Sequence, residues 1–465
     1  MIIMKSIRHN SYAVEYVLKL KLDINDRQLS GSSRVTVVSY SGKPAGTLRF
    51  ILNHGLKPLD VRGELISKWR WYRGSIGGLR ELFVNVIEIT YDKRSENDNR
   101  IEITIDFEGS IRDYSSVFPY VKDCIGEYTL IRTDAYSYPV FLANNDLSFH
   151  NLVSSVISQR FKYRIEVAAP RDYVVANVGK LVGHKVREDY KVYVYISKVP
   201  SWRMDIAVAK FRVLEEKQDD LRIFYLPEDK EYAERILYTL KNCLKYYEEL
   251  FGKPARWNGY TIIELPETWG SQADYTGMLL ERKGFTDSHH AGIYHELAHL
   301  WNAQSAEHPP SRFLDEGFAS YFQLLAERRF IGDKWFKERL RNAREKIREL
   351  AKKTPKLLEV PLADYGKYYL TDASYLVGVL LLYVLNRLTG DQCFYKAIRR
   401  FLEKHYETPA TLESFKEAFV EICGDRIRSF LEEWFYTTKP VELIIEKDID
   451  EIIELYKSRL YESLQ

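Results

Sequence analysis

Ile293-Tyr294-His295-Glu296-Leu297-Ala298-His299-Leu300-Trp301 is the stretch from which the rest of the chain can be read. Ile293, Leu297, Leu300 and Trp301 recur at helical spacing, so the segment predicts an amphipathic helix with one apolar side against a core. On such a helix His295 and His299 stand one turn apart on the same face, close enough for two imidazoles to reach one zinc ion. Glu296 lies between them, beside the metal without binding it, placed to take a proton from an activated water. Glu316, in Phe313-Leu314-Asp315-Glu316-Gly317-Phe318, follows His299 after sixteen intervening residues and is the natural third ligand. Zinc held by two His and one Glu keeps a fourth position for water, which marks a catalytic site. The context supports more than a chance match among ten histidines. Asp287 or Ser288 can cap the first helix, Pro309-Pro310 breaks the chain, and Ser311 can cap a second helix carrying Glu316.

Working outward, the sequence upstream is of another kind. Val14, Tyr16, Leu18, Leu20 and Leu22 alternate with other residues. So do Leu82, Val84 and Val86; Ile101, Ile103, Ile105 and Phe107; and Val192, Val194 and Ile196. Turn signals at Gly42-Lys43-Pro44, Asn53-His54-Gly55 and Ser95–Asn99 separate them. Many short strands at this spacing predict an all-β, sandwich-like N-terminal domain. Near residue 210 the character changes. A long helix comes next around Ala233–Leu244, then a strand at Tyr260–Leu265, then helices near 333–352, 371–389, 391–405 and 411–435. Ile449, Ile452, Ile453, Tyr456 and Leu460 share one face of a terminal amphipathic helix, expected to dock on its own domain. The reading divides the chain into 1–208, 209–438 and a tail at 439–465.

Composition bounds the partners. With 465 residues, 45% of them hydrophobic, the chain is long enough for two or three cored domains. Its 68 basic and 66 acidic side chains leave a formal net charge of +2 and no basic stripe, so nucleic acid is not expected. No apolar run approaches the roughly 20 residues that span a bilayer, so no membrane is expected either. The first residues do not read as a signal peptide. Cys124, Cys243, Cys393 and Cys423 are widely spaced without a CxxC pair, which predicts no disulfide framework and a reducing, cytoplasmic setting. Abundant charge and sparse Gln fit a thermophilic composition.

Beyond the pentad, several segments resemble the zinc aminopeptidases of the aminopeptidase N family, which includes leukotriene hydrolase. Tyr246-Tyr247-Glu248-Glu249-Leu250-Phe251-Gly252-Lys253-Pro254 resembles the family's segment ahead of the catalytic sheet. Asp315-Glu316-Gly317-Phe318-Ala319 resembles its third-ligand motif. Tyr375-Leu376-Val377-Gly378 resembles its tyrosine-bearing helix, with Val377 where lysine is common. Leu388-Thr389-Gly390-Asp391, and Phe161–Pro170 with Ala176-Asn177, add to the likeness, which runs over roughly 130–435. The resemblance implies a multidomain fold, an all-β sandwich-like domain followed by a mostly α, thermolysin-like zinc peptidase domain. It implies one zinc ion on His295, His299 and Glu316, Glu296 as the base, and Tyr375 as hydrogen-bond donor to the developing oxyanion, with Tyr368 and Tyr369 as fallbacks. The implied activity is a metallopeptidase releasing N-terminal residues from peptides. An endopeptidase, another small-substrate hydrolase and a non-catalytic scaffold stay open as alternatives.

Three departures stand out. The family spaces its second histidine and third ligand by eighteen residues; the shorter gap here falls around His308-Pro309-Pro310. The family's GxMEN segment, whose glutamate grips the substrate's free amine, corresponds to Ser271-Gln272-Ala273-Asp274-Tyr275. Asp274 is then either a shorter amine-binding carboxylate or a loop acid. Family members usually carry a large helical C-terminal domain, and the chain reads as a short form whose site is open or covered by a homo-oligomer partner. His289 and His290 are offset from the ligand face and read as surface or supporting residues.

Overall fold

The computed structural model describes residues 11–39, 45–77, 82–92, 99–119, 121–122, 125–143, 147–148, 152, 155–156, 158–255, 257–307 and 309–462. Cys124, His308, the first ten residues, Gly42-Lys43-Pro44 and most of Ser95–Asn99 lie outside these. Two compact units form: the chain up to Leu237 together with Asn258–Thr286, and Tyr238–Trp257 together with the chain from Asp287 onward.

The first unit is β-built, as the alternation predicts. A seven-stranded sheet runs in the order Lys180–Val186, Tyr190–Ile196, Lys162–Pro170, Ser11–Asp23, Gln28–Ser39, Arg100–Gly109, Leu56–Arg62. A four-stranded sheet contains Ile66–Ser75, Phe83–Asp92, Ala45–Asn53 and Val140–Leu142, and a three-stranded one Val174–Ala176, Ile206–Ala209 and Thr129–Ile131. Inward residues of these sheets, such as Leu18, Ile103, Ile89 and Val208, belong to one continuous core. That sharing of a core between sheet faces is the sandwich arrangement.

Two strands depart from the expected faces for definable reasons. Tyr16, Leu18, Leu20 and Leu22 are buried as the alternation predicts, but Val14 is not in the core, because a β-bulge between Ala13 and Glu15 resets the alternation and buries Ala13 instead. On Tyr190–Ile196 it is Tyr193 and Tyr195 that face inward, while Ile196 is exposed. The tyrosines satisfy their hydroxyls on Tyr173 O and Val175 O, at 3.2 and 2.7 Å, so a phenol serves where valine was expected.

A five-stranded sheet, ordered Arg212–Glu216, Leu221–Tyr225, Tyr260–Leu265, Gly277–Glu281, Gln272–Asp274, belongs to the same unit. Its three central strands are parallel, and every residue of Tyr260–Leu265 is buried, as expected for a strand covered on both faces. Phe224, Ile263, Leu265 and Leu279 complete the β core. Packing therefore groups the strands between Arg212 and Glu281 with those before them, whereas composition changes near 210.

The second unit is helical: α1 (Lys230–Phe251, entering it at Tyr238), α2 (Ala291–Ala298), α3 (Phe318–Phe330), α4 (Asp333–Lys353), α5 (Ala373–Thr389), α6 (Asp391–His405), α7 (Leu412–Cys423), α8 (Arg428–Tyr436), α9 (Lys439–Glu446) and α10 (Ile449–Glu462). The stretch read as one helix over 411–435 is two, interrupted at Gly424, whose φ of +89° suits glycine. Phe313, Phe318, Phe401, Phe415 and Phe435 pack edge to face around one centre. The terminal helix docks on this unit: Tyr456 lies 4.9 Å from Phe430 and donates to Glu433 at 2.7 Å. Arg344 and Arg348 of α4 donate to the last carbonyls of α9, Ile444 O and Ile445 O, at 3.0 and 2.9 Å.

One cysteine expectation is overturned. Cys393 of α6 and Cys423 at the end of α7 form a disulfide, with Cα atoms 5.8 Å apart. Thirty positions separate them, and spacing alone cannot show that two antiparallel neighbours bring such residues face to face. Cys243 is a buried free thiol. No helix among the described residues is long and apolar enough to cross a membrane.

Candidate active site

Asp287 caps α2 with its carboxylate, accepting from His289 N at 3.0 Å and Ala291 N at 3.2 Å. The residue at the cap itself is His290, in a left-handed conformation at φ 52°. The helix carries His295 and ends in a tight turn that carries His299. Glu316 does not sit on an ordinary α-helix. Phe313–Gly317 forms a π turn, with the Gly317 N–H bonded to Arg312 O at 3.2 Å. Such turns carry one extra residue and are frequent at functional sites. Ser311 accepts from Phe313 N at 3.4 Å, close to the capping role expected of it.

The three donors converge. Glu316 Oε2 lies 3.1 Å from His295 Nε2 and 3.6 Å from His299 Nε2, and all three ligand atoms fall within 4.8 Å of one another. Two ligands about 2.0–2.1 Å from a tetrahedral zinc stand about 3.4 Å apart, so the two measured edges fit that ion. Arg312 grips the other oxygen, Oε1, and Asp315 as well, leaving Oε2 turned toward the imidazoles. Burial alone would raise the Glu316 pKa. The hydrogen bond from His295, the charges of His299 and Arg312, and the Tyr375 hydroxyl outweigh it and hold Glu316 at about 2. Burial, reinforced by the charge of His295, lowers His299 to about 4. Glu316 is thus a carboxylate and His299 a neutral imidazole, while at His295 burial, which lowers the pKa, is outweighed by the Glu316 hydrogen bond and the Glu296 and Glu316 charges, so a metal there would displace a proton.

Glu296 and Tyr375 border the same point. Glu296 Oε2 lies 3.9 Å from His299 Nε2, on a side chain 35% exposed. The Tyr375 ring stacks on His295, with centroids 6.0 Å apart and planes at 10°, and its hydroxyl bonds Glu316. Burial, then the Glu316 charge, pushes the Tyr375 pKa up, so the phenol keeps its proton. Two glycines allow this approach. A Cβ on Gly378 would stand 2.7 Å from Gly317 Cα, so the bare backbones of α5 and the π turn pass in direct contact. Ser374 ties the same crossing by donating to Ser311 O. Tyr368 and Tyr369 are 50% and 85% exposed, which leaves Tyr375 as the tyrosine against the cluster.

Asp274 lies in the β unit. It ends Gln272–Asp274, pairs with Gly277 across a tight turn, and accepts on Oδ1 from Thr276 N and Oγ1 at 2.8 and 2.9 Å. Its Oδ2 is 3.3 Å from Ser201 Oγ. His289 stacks on Trp335 at 4.6 Å, apart from the ligand cluster. Arg312, Gln323 and Glu327 were not singled out from the sequence. They stand at positions −4, +7 and +11 from Glu316, one helical face, and that periodicity was the available signal.

Two imidazoles and a carboxylate closing on one point, with a second glutamate between the histidines, define the site class of a two-His, one-Glu zinc hydrolase. Residues 236–434 match the sequence profile of the Peptidase family M1 domain. It is 22% identical over 247 residues to aminopeptidase N of Streptomyces lividans, covering 49% of this chain and 29% of that protein. It is 23% identical over 302 residues to human glutamyl aminopeptidase, covering 60% of this chain and 32% of that protein. The chain thus spans about a third of the length of these curated relatives. The crystal structure of an M1 zinc metallopeptidase from Deinococcus radiodurans shares the fold, with a TM-score of 0.59 at 16% identity over 92% of this chain and 95% of that one. A second structure of that protein, a mutant bound to a Tyr-Ser-Ala substrate, aligns with a TM-score of 0.58 at 16% identity, over 92% of this chain and 94% of that one.

Proposed function

We propose that this chain is a zinc-dependent metallopeptidase, and within that class an aminopeptidase, with one zinc ion on His295, His299 and Glu316. The observation that carries the reading is the convergence of those three donor atoms with Glu296 and Tyr375 at their edge. Bound zinc supplies a Lewis acid that makes water nucleophilic at neutral pH. Glu296 accepts the proton that the attacking water gives up and passes it to the departing amine as the C–N bond breaks. Tyr375 donates its O–H to the carbonyl oxygen as negative charge builds there, an interaction strongest in the transition state. Asp274 pairs with the substrate's free ammonium group. One observation favours the endopeptidase alternative: Asp274 already spends Oδ1 on its own turn. We place the protein in the cytoplasm, where the Cys393–Cys423 disulfide suits the thermophilic composition, since intracellular proteins of hyperthermophiles retain disulfides.

Rates on free and N-acetylated forms of the same peptides separate the two peptidase readings: an aminopeptidase loses the blocked substrates, an endopeptidase keeps them. Glu296→Gln should retain zinc and lose hydrolysis by about 10²-fold or more. An unchanged rate in that variant would remove Glu296 from the mechanism.

A further inference from the structure

Behind the metal cluster a second line of polar groups runs into the helical unit. His295 Nδ1 lies 3.2 Å from Gln323 Oε1, and Gln323 Nε2 donates to Glu327 Oε1 at 2.7 Å. Glu327 Oε2 accepts from Trp335 Nε1 at 3.0 Å and from Arg339 Nε at 3.1 Å. The Glu327 side chain is fully buried, and Gln323 is 8% exposed. Gln323 and Glu327 stand one turn apart on α3, while Trp335 and Arg339 stand one turn apart on α4.

The chemistry of each group fixes the direction of the next. An indole and a guanidinium can only donate, so both belong on the carboxylate. A carboxylate can only accept, so Glu327 demands the amide nitrogen of Gln323 and turns its carbonyl toward His295. A carbonyl also only accepts, so Nδ1 of His295 must carry a hydrogen. Nε2, which faces Glu316 Oε2, is then the nitrogen whose lone pair a metal would take, in place of the hydrogen it gives that carboxylate.

We propose that Glu327, acting through Gln323, is a positioning residue that sets the tautomer and aim of His295 and thereby the zinc affinity of the site. The inference rests on the zinc reading above. A fully buried carboxylate is costly to keep in place. Apolar packing would join α3 to α4 as well, whereas only an acceptor at this point gives Gln323 a direction. Gln323 alone cannot do so, because an amide presents a donor or an acceptor with equal ease.

Chelator competition measures the zinc dissociation constant of each variant, with circular dichroism reporting the fold. Glu327→Gln, nearly the same shape, should weaken zinc binding about 10- to 100-fold, the usual size of such indirect effects. Gln323→Leu should weaken it to a similar degree and carries the test if the first variant does not fold. The double variant Q323E/E327Q moves the single carboxylate one link nearer to His295 and should recover most of the lost affinity. Folded single variants that bind zinc as the wild type does would overturn the proposal. So would a folded double variant that recovers nothing, because loss of packing alone predicts that result. If the wild type itself binds no zinc, while His295→Ala behaves identically, the zinc reading falls and the relay with it.

Discussion

A single oxygen shows how the site is made. Glu316 Oε2 faces two imidazoles because Arg312 occupies Oε1 and Tyr375 bonds the same carboxylate. The Tyr375 bond predicts a kinetic effect. On the proposed mechanism that hydroxyl turns from Glu316 to the developing oxyanion, so with Tyr375→Phe kcat should fall about 10²- to 10³-fold with KM little changed. A rise in KM at constant kcat would make Tyr375 a substrate-binding residue instead. A second residue gives a pH prediction. Glu264 accepts from Leu226 N at 2.7 Å, while its Oε1 and Asp229 Oδ2 are buried with no hydrogen-bond partner among the described residues. Burial, then contact with the Asp229 carboxyl, raises the Glu264 pKa to about 8, so Glu264 keeps its proton at neutral pH. The unfolded chain would release that proton at an ordinary pKa of about 4.3. The folded state therefore binds more protons between these values, and its stability falls as pH rises through that window. Urea unfolding at a series of pH values should show this decline in the wild type and a flatter profile in Glu264→Gln; identical profiles would exclude a proton held on Glu264. The convergence of His295, His299 and Glu316 was legible because a metal-binding pattern fixes residue type and spacing together. Arg312, Gln323 and the Asp229–Glu264 pair were not, since burial and partners decide their roles.

At the scale of elements, the Gly317–Gly378 crossing brings Tyr375 to Glu316. Gly378→Ala tests two opposed effects. Alanine favours a helix by up to about 1 kcal/mol over glycine. The added methyl, 2.7 Å from backbone that has no flexible tip to move, should cost about 1–3 kcal/mol. The clash should win: a lower thermal midpoint, and weaker zinc binding as α5 and the π turn separate. A stabilised variant with normal zinc affinity would show the crossing to be loose. Sequence periodicity recovered most helices within a few residues, because apolar faces leave a 3.6-residue trace. It missed the break at Gly424 and the inward tyrosines 193 and 195. A glycine's φ and a phenol's distant carbonyl partner leave no periodic mark.

At the scale of the molecule, His295, His299 and Glu316 all belong to the helical unit, and so does the disulfide. Cys393–Cys423 closes a loop of 30 residues. Loop-closure entropy for that length is worth about 3–4 kcal/mol. Denaturant titration with and without reductant should show that loss in the helical signal, with Cys393→Ser matching the reduced protein; equal midpoints would mean that the unfolded state is not restrained by the link. The two-part character of the chain was legible, since alternation and helical periodicity dominate different regions. The bounds of the packing units were less so, because strands 212–281 join a core built by residues far earlier in sequence. The π turn at Phe313–Gly317 bears on how such chains can change length over evolutionary time. Deleting one of its residues would restore an α-helix and swing Glu316 by about 100° relative to α3. Insertions and deletions should therefore accumulate upstream of Arg312, where a loop absorbs them, and be purged across the turn.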